Sequence, residues 1–132
     1  MIILDASAAV TLLVEETETA EWVADQLAGE DNVGAPHLID FEVLSALRRL
    51  VARRELRLAL ARDALEGLRE LGIVRYDLTR LLERIWQLRD HMTPYDAAYV
   101  VLAETLAVPL VTVDRRLGRT GGHRADIVAY AG

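Results

Sequence analysis

The chain has 132 residues, a formal net charge of −6 and no cysteine. This length suits one well-buried core and is too short for two ordinary domains, so we expect a single domain over residues 1–132. The absence of cysteine excludes disulfides, thiolate zinc sites and cysteine nucleophiles, and the absence of lysine among 15 basic residues excludes lysine chemistry. The negative charge argues against a broad basic surface for nucleic acid, yet a cation held by carboxylates can still receive a phosphate at one place.

The N-terminal sequence MIILDAS carries an acid at position 5 and no basic leader. No apolar stretch in the chain approaches the roughly 20 residues that a membrane span needs. From these two features we expect a cytoplasmic protein that does not associate with a membrane.

Five short apolar runs have the length of β-strands, at residues 2–4, 33–35, 73–75, 110–113 and 127–129. Helical spacing of apolar residues lies between them, for example at 17–29, 39–51, 58–71 and 81–88. Gly29 ends the first of these helical segments and Gly72 follows the third, as is common at helix C-termini. Strands that alternate with helices predict an α/β fold with a parallel sheet covered by helices.

Two acids stand at the ends of predicted strands, where ligands of open parallel sheets bind. Asp5 follows the first strand and Asp114 follows the fourth, and hydroxyl residues stand two positions away at Ser7 and Thr112. Each acid taken alone is explained at least as well as the N-cap of the next helix. The hydroxyls can serve the same capping role, or they can hold a water or orient a ligand.

Two further acids lie within predicted helices. Asp96 is the third residue of a helix that begins TPYD, so a capping box with Thr93 explains it fully. Glu42 lies in the apolar segment HLIDFEVLSALRRL. It is either a solvated surface residue or, if it faces the sheet edge, a charge that needs a partner, because an unpaired buried charge costs several kcal/mol.

If the four acids converge, their mutual repulsion requires a bound cation, because like charges so close together do not all remain ionised. Hard oxygen ligands without cysteine or a histidine pair favour Mg²⁺ or Mn²⁺ over zinc or copper. Such a metal would polarise a phosphoryl oxygen and activate a water for in-line attack on phosphorus. This hypothesis predicts hydrolysis of a phosphodiester bond.

Three segments of the chain match the pattern of a known family, namely DAS near the start, PHLIDFEVLSALRR in the middle and YDAAYVVLAETLAVPLVTVDRRL toward the end. Their acids, in this order and at these intervals, resemble those of PIN-domain proteins, specifically VapC-type toxins, over nearly the whole chain. The resemblance implies a PIN-like three-layer domain with a central five-stranded parallel sheet flanked by helices. It also implies a Mg²⁺- or Mn²⁺-dependent endoribonuclease, a cognate VapB-type antitoxin and a homodimer.

The resemblance also assigns the candidate catalytic and metal-binding residues, which are Asp5, Glu42, Asp96 and Asp114. We expect Asp5 and Asp96 to bind the metal directly and the other two acids to close the site or act through water. Ser7 and Thr112 match the supporting hydroxyl positions, which orient ligands or water. All four acids are present, which argues against an inactive copy.

Substrate contacts must come from residues outside the acidic site. Arg115, Arg116 and Arg119, together with Arg124, follow Asp114 closely enough to hold phosphates of an RNA substrate. A solvated helix face and loop explains the same arginines equally well.

Several other residues carry weaker indications. Tyr95 and Tyr99 could stack an unpaired base, but at helical spacing beside Asp96 they are more often packing residues. Ser45 stands where many relatives have asparagine, which puts a side-chain amide contact in the site in doubt. We assign no role to the three histidines, and Trp22 and Trp86 are most simply core or interface residues.

Other functional classes explain the sequence less well. A receiver domain would need an acidic pair after the first strand and a late lysine, and an aspartyl phosphatase would need a second acid where Ser7 stands and a lysine. A protein that keeps the fold and acts only through protein contacts, without catalysis, remains the main alternative.

Overall fold

The computed structural model describes all 132 residues and contains one five-stranded parallel sheet. Its strands are β1 (Ile2–Leu4), β2 (Val33–Pro36), β3 (Val74–Tyr76), β4 (Leu110–Thr112) and β5 (Ile127–Ala129). Their spatial order is β3-β2-β1-β4-β5, and every neighbouring pair is parallel. The predicted parallel α/β architecture is therefore confirmed, with strand ends that differ from the prediction by at most one residue.

Six α-helices connect the strands, namely α1 (Ala6–Val14), α2 (Glu18–Leu27), α3 (Ile39–Ala52), α4 (Leu58–Glu70), α5 (Leu82–Gln87) and α6 (Pro94–Leu106). Short 3₁₀ turns occur at Thr79–Leu81 and Leu117–Arg119. The predicted helices at 17–29 and 58–71 are present, and α1 precedes the first of them as a separate helix. The chain breaks between α1 and α2 because the Thr17 side chain caps α2, accepting a hydrogen bond from the Ala20 amide at 3.2 Å. No helix is both long enough and apolar enough to cross a membrane.

The core is a single cluster of 25 buried residues, and α6 lies at its centre. Every residue from Ala97 to Ala103 is buried, so this helix is apolar on all sides, as expected for a helix enclosed by protein. It packs against β1, β2 and β4, whereas α1 packs against α2, α3 and α4. Helices thus cover both faces of the sheet in a three-layer arrangement. The packing of α6 in the core places the N-terminus of this helix near the carboxyl ends of the strands.

The strands are all parallel, but the order in which the chain adds them to the sheet changes side at β1. From β1 the strand order runs outward through β2 and β3 on one side, and through β4 and β5 on the other. In parallel sheets such a switch point opens a crevice at the carboxyl ends of the two central strands, since the connections leave in opposite directions. Asp5 and Asp114 follow these two strands, β1 and β4, and so lie at this crevice.

Candidate active site

Asp5 is the most buried acid of the crevice, with 6% of its surface exposed. One carboxylate oxygen, Oδ1, accepts hydrogen bonds from the Ser7 hydroxyl at 2.7 Å and the Ala8 amide at 2.9 Å. The other, Oδ2, accepts one from the Thr112 hydroxyl at 2.5 Å. Asp5 is therefore the N-cap of α1, which confirms that interpretation of the sequence, and its carboxylate also lies in the crevice, where its role in an active site stays a prediction. Three of its roughly four acceptor positions are used, which leaves one on Oδ2.

Ser7 and Thr112 join the ends of β1 and β4. Besides holding Asp5, the Thr112 hydroxyl accepts a hydrogen bond from the Asp114 amide at 3.0 Å, and the Ser7 hydroxyl accepts one from the Val113 amide at 3.3 Å. The two hydroxyl oxygens lie 3.2 Å apart. The predicted supporting hydroxyls thus fix both the Asp5 carboxylate and the backbone that carries Asp114.

Asp96 enters the crevice from the N-terminus of α6. Thr93 is the N-cap of this helix and accepts a hydrogen bond from the Asp96 amide at 3.2 Å, and Pro94 occupies the first turn. The half of the capping box formed by the threonine is therefore present. The Asp96 carboxylate is half-buried, and the positive end of the α6 dipole favours its negative charge.

Glu42 reaches the same region from the first turn of α3. Its Oε1 accepts a hydrogen bond from the Tyr99 hydroxyl at 2.7 Å, and this is the one hydrogen bond to its carboxylate. Tyr99 is buried in α6, one turn beyond Asp96. The sequence led us to expect packing or base stacking for Tyr99; packing is correct, and the contact with Glu42 was missed because it joins residues 57 positions apart.

Asp114 differs from the other acids because it has a cationic partner. Arg116 donates to its Oδ1 from the backbone amide at 2.9 Å and to its Oδ2 from Nη2 at 3.1 Å. The arginine side chain is 80% exposed and the Asp114 side chain 27% exposed. Arg116, one of the predicted phosphate contacts, is thus already paired with an acid of the site.

The pKa values of the four acids report their convergence. Burial raises the pKa of Asp5, of Glu42 and of Asp96 above their usual values. Repulsion from Asp96 adds to the rise for Asp5 and Glu42, and repulsion from Asp114 adds to it for Asp96. Partial burial acts in the same direction on Asp114, but the hydrogen bonds and charge of Arg116 outweigh it and lower the pKa of Asp114. Asp96 therefore interacts electrostatically with all three other acids.

These acids suit a hard divalent cation, because they supply only oxygen ligands and repel one another. The side chains do not form a closed cage, since no three Asp, Glu or His groups stand at mutual ligating positions. An open arrangement is compatible with Mg²⁺, which commonly keeps several waters and takes only one or two protein carboxylates. The residues that would hold such an ion directly are Asp5, through its free acceptor position, and Asp96.

The remaining predicted residues lie at the margin of the crevice or away from it. Arg115, Arg119 and Arg124 are exposed, and the backbone amide of Arg124 donates a hydrogen bond to the Glu104 carboxylate. Ser45 is exposed and accepts a hydrogen bond from Arg49, so it makes no contact with the acids. Trp22 is partly buried and packs against Tyr130, with ring centroids 5.3 Å apart. Trp86 is 65% exposed, which excludes it from the core.

Comparisons with known proteins give a family match and several similar sequences. The model of the PIN domain matches residues 2–123. A protein of Mycobacterium bovis named VapC ribonuclease is 45% identical over 127 residues, covering 96% of both chains. Ribonuclease VapC12 of Mycobacterium tuberculosis is 42% identical over 131 residues, covering 99% of this chain and all of its own.

Two solved structures share the fold. The crystal structure of PAE2754 from Pyrobaculum aerophilum aligns with a TM-score of 0.69 and 25% identity, covering 96% of this chain and 82% of that one. The crystal structure of VapBC2 from Rickettsia felis, bound to a DNA fragment from its promoter, aligns with a TM-score of 0.67 and 14% identity. That alignment covers 98% of this chain and 99% of that one, and at this identity it bears on the fold alone.

Proposed function

The chain belongs to the PIN-domain family, among its VapC-type members, and from this membership and the acidic crevice we propose that it is a Mg²⁺- or Mn²⁺-dependent endoribonuclease. In this proposal it is the toxin of a toxin–antitoxin pair and hydrolyses RNA phosphodiester bonds. The observation that carries the proposal is the electrostatic coupling of Asp96 to Asp5, Glu42 and Asp114 at the switch point of the sheet. Acids whose pKa values are shifted by burial and mutual repulsion, gathered in a crevice, are typical of functional sites.

The roles of the residues follow from their surroundings. Asp5 and Asp96 would hold the divalent ion, Ser7 and Thr112 keep the Asp5 carboxylate in one orientation, and Asp114 and Glu42 close the site. When bound, the ion supplies positive charge that polarises a phosphoryl oxygen and lowers the pKa of a water molecule. Glu42 is half-buried with a raised pKa, and such a carboxylate suits the task of accepting a proton from the attacking water.

Substrate RNA would be held by the exposed arginines at the rim. Arg115 and Arg119 are free to contact phosphates, and Arg116 becomes available when a cation replaces it at Asp114. The chain has a net charge of −6, which disfavours binding of nucleic acid to its surface as a whole. Arginines at one edge of the crevice would be enough to bind phosphates there, because the rest of the surface need not contact the RNA.

We also propose an antitoxin contact in the apolar groove between α3 and α4. This groove is lined by leucine, valine and alanine side chains with Arg48 and Arg62 and without any acid. Leu44 and Leu58 remain 41% and 58% exposed there. An amphipathic helix with acidic residues beside its apolar face would complement such a groove.

The homodimer implied by family resemblance remains a proposal, which light scattering of the purified protein tests.

The first experiment is cleavage of total bacterial RNA by the purified protein with Mg²⁺, with Mn²⁺ and with EDTA. We expect discrete fragments that require metal. In Asp96→Asn cleavage should fall by about 10³-fold or more, because several kcal/mol of charge stabilisation are lost. Asp63→Asn, an exposed change on α4, is the matched control. Expression of the chain alone should slow bacterial growth, and Asp96→Asn should relieve this effect.

A folded wild-type protein that binds metal, lacks antitoxin and leaves RNA intact would contradict the nuclease proposal. It would favour the alternative of a catalytically silent PIN-fold scaffold.

A further inference from the structure

The contact between Tyr99 and Glu42 is the one feature of the crevice that neither the family resemblance nor the metal hypothesis uses. Tyr99 is 2% exposed, so its ring belongs to the core of α6. Its hydroxyl nevertheless points toward the crevice and donates a hydrogen bond of 2.7 Å to Glu42. A buried phenol needs a hydrogen-bond partner, and here the partner is an acid of the candidate active site.

Glu42 has little else to hold it in place. It lies in the first turn of α3, a helix without a side-chain cap, between the 74% exposed Phe41 and the buried Val43. A glutamate has three rotatable side-chain bonds, and a half-buried one readily turns toward solvent. The hydrogen bond from Tyr99 favours the rotamer that faces the crevice.

Because Tyr99 lies on α6, its hydrogen bond fixes Glu42 relative to the other residues of that helix. Asp96 and Tyr99 are three residues apart, so their side chains leave the same face of the helix. The helix itself is enclosed by the core from Ala97 to Ala103. One rigid element therefore carries Asp96 and sets where the carboxylate of Glu42 stands relative to it.

We propose that Tyr99 is a positioning residue that fixes Glu42 for divalent-cation binding. It does not touch the substrate, because its hydroxyl is engaged by Glu42 and its ring is buried. This inference rests on the proposed function, since it assigns Glu42 to a metal site. Burial and the hydrogen bond to Glu42 raise the pKa of Tyr99, so its hydroxyl keeps the proton that it donates throughout the neutral range.

Tyr99→Phe tests this inference because it removes the hydroxyl and keeps the ring in the core. Loss of a group that orients a side chain of a metal site typically weakens metal binding by 10–100-fold. We expect Mn²⁺ binding measured by titration calorimetry, without RNA, to weaken by about 10-fold. The Mn²⁺ concentration for half-maximal RNA cleavage should rise by a similar factor. In the Glu42→Gln background, Tyr99→Phe should cause no further loss.

Tyr76→Phe is the matched control. The hydroxyl of Tyr76 also makes a single side-chain contact, to the sulfur of Met1 at 3.6 Å, and it lies on β3 at the edge of the sheet. The Tyr76→Phe substitution should leave Mn²⁺ binding unchanged. Thermal unfolding of the Tyr99→Phe and Tyr76→Phe proteins shows whether both are folded.

The outcomes separate the two proposals. A wild-type protein that neither binds Mn²⁺ nor cleaves RNA would refute the proposed function. A wild type that binds Mn²⁺, with a folded Tyr99→Phe protein that binds it equally well, would refute only the positioning role. A further loss in the Glu42→Gln background would show that Tyr99 acts by another route and would also overturn the inference.

Discussion

The carboxylates at the two ends of α6 have very different partners. At the C-terminal end, the Glu104 side chain is 6% exposed and receives two hydrogen bonds from Arg84, at 3.0 and 2.9 Å. The backbone amide of Arg124 donates a third at 2.6 Å. The hydrogen bonds from Arg84 outweigh burial and lower the pKa of Glu104.

At the N-terminal end, burial raises the pKa of Asp96, and burial likewise raises those of Asp5 and Glu42. None of these three acids forms an ion pair, although the chain contains 15 arginines. The comparison shows that the fold neutralises a buried carboxylate where it serves only the structure. Three acids left without an ion-pair partner, while Arg116 at the same crevice pairs directly only with Asp114, suit the divalent-cation site proposed above.

The largest expected effect on stability comes from breaking the ion pair between Arg84 and Glu104. Arg84→Ala leaves Glu104 without its cation, and we expect the free energy of unfolding at pH 7 to fall by about 2–3 kcal/mol. Because the pKa of Glu104 is lowered in the folded state, this loss should disappear as the pH falls below that pKa. Denaturant unfolding at several pH values measures it, with the exposed Arg53→Ala as control. Equal effects of the two substitutions would contradict the structural role of the pair.

A smaller effect of opposite sign is expected at the crevice. Asp96→Asn removes a charge that is buried and repelled, so the metal-free variant should be more stable than wild type at pH 7, by about 1 kcal/mol. The pKa of Asp96 is raised from 3.8, so the charge costs nothing below pH 3.8, and its cost develops as the pH rises through the folded-state value.

The stability difference between Asp96→Asn and wild type should therefore grow from near zero at the acid end of this window. Thermal unfolding with EDTA measures it, and Asp63→Asn should show no comparable pH dependence. A variant less stable than wild type across the whole range would mean that Asp96 has a mainly structural role as part of the capping box.

The smallest effect concerns the one acid of the crevice that does have a partner. Arg116→Ala frees Asp114, so we expect Mn²⁺ to bind a few-fold more tightly, because the cation no longer competes with the guanidinium. RNA should bind more weakly, since a phosphate contact is lost. Titration calorimetry and filter binding measure the two changes, with the adjacent exposed Arg115→Ala as the comparison. Weaker Mn²⁺ binding in Arg116→Ala would show that the arginine supports the metal site instead of competing with it.

The sequence alone predicted the parallel α/β architecture, which the structure confirms, and it named the four acids of the candidate site. Strand-length apolar runs alternate with helical patterns, and such local periodicity needs no knowledge of distant residues. The rule that parallel sheets gather ligands at their carboxyl edge placed Asp5 and Asp114 together, and the spacing of the motifs added Glu42 and Asp96 through family resemblance.

Only the tertiary structure decided which partner each acid has. The hydrogen bond from Tyr99 to Glu42 and that from Thr112 to Asp5 join residues 57 and 107 positions apart, and no local pattern encodes such pairs. The ion pair between Asp114 and Arg116 joins residues only two positions apart, yet the sequence did not predict it. An arginine two positions from an acid can either pair with that acid or bind a phosphate of the substrate. Packing of α6 in the core settles these partners, since it fixes where each buried polar group must find its hydrogen bond.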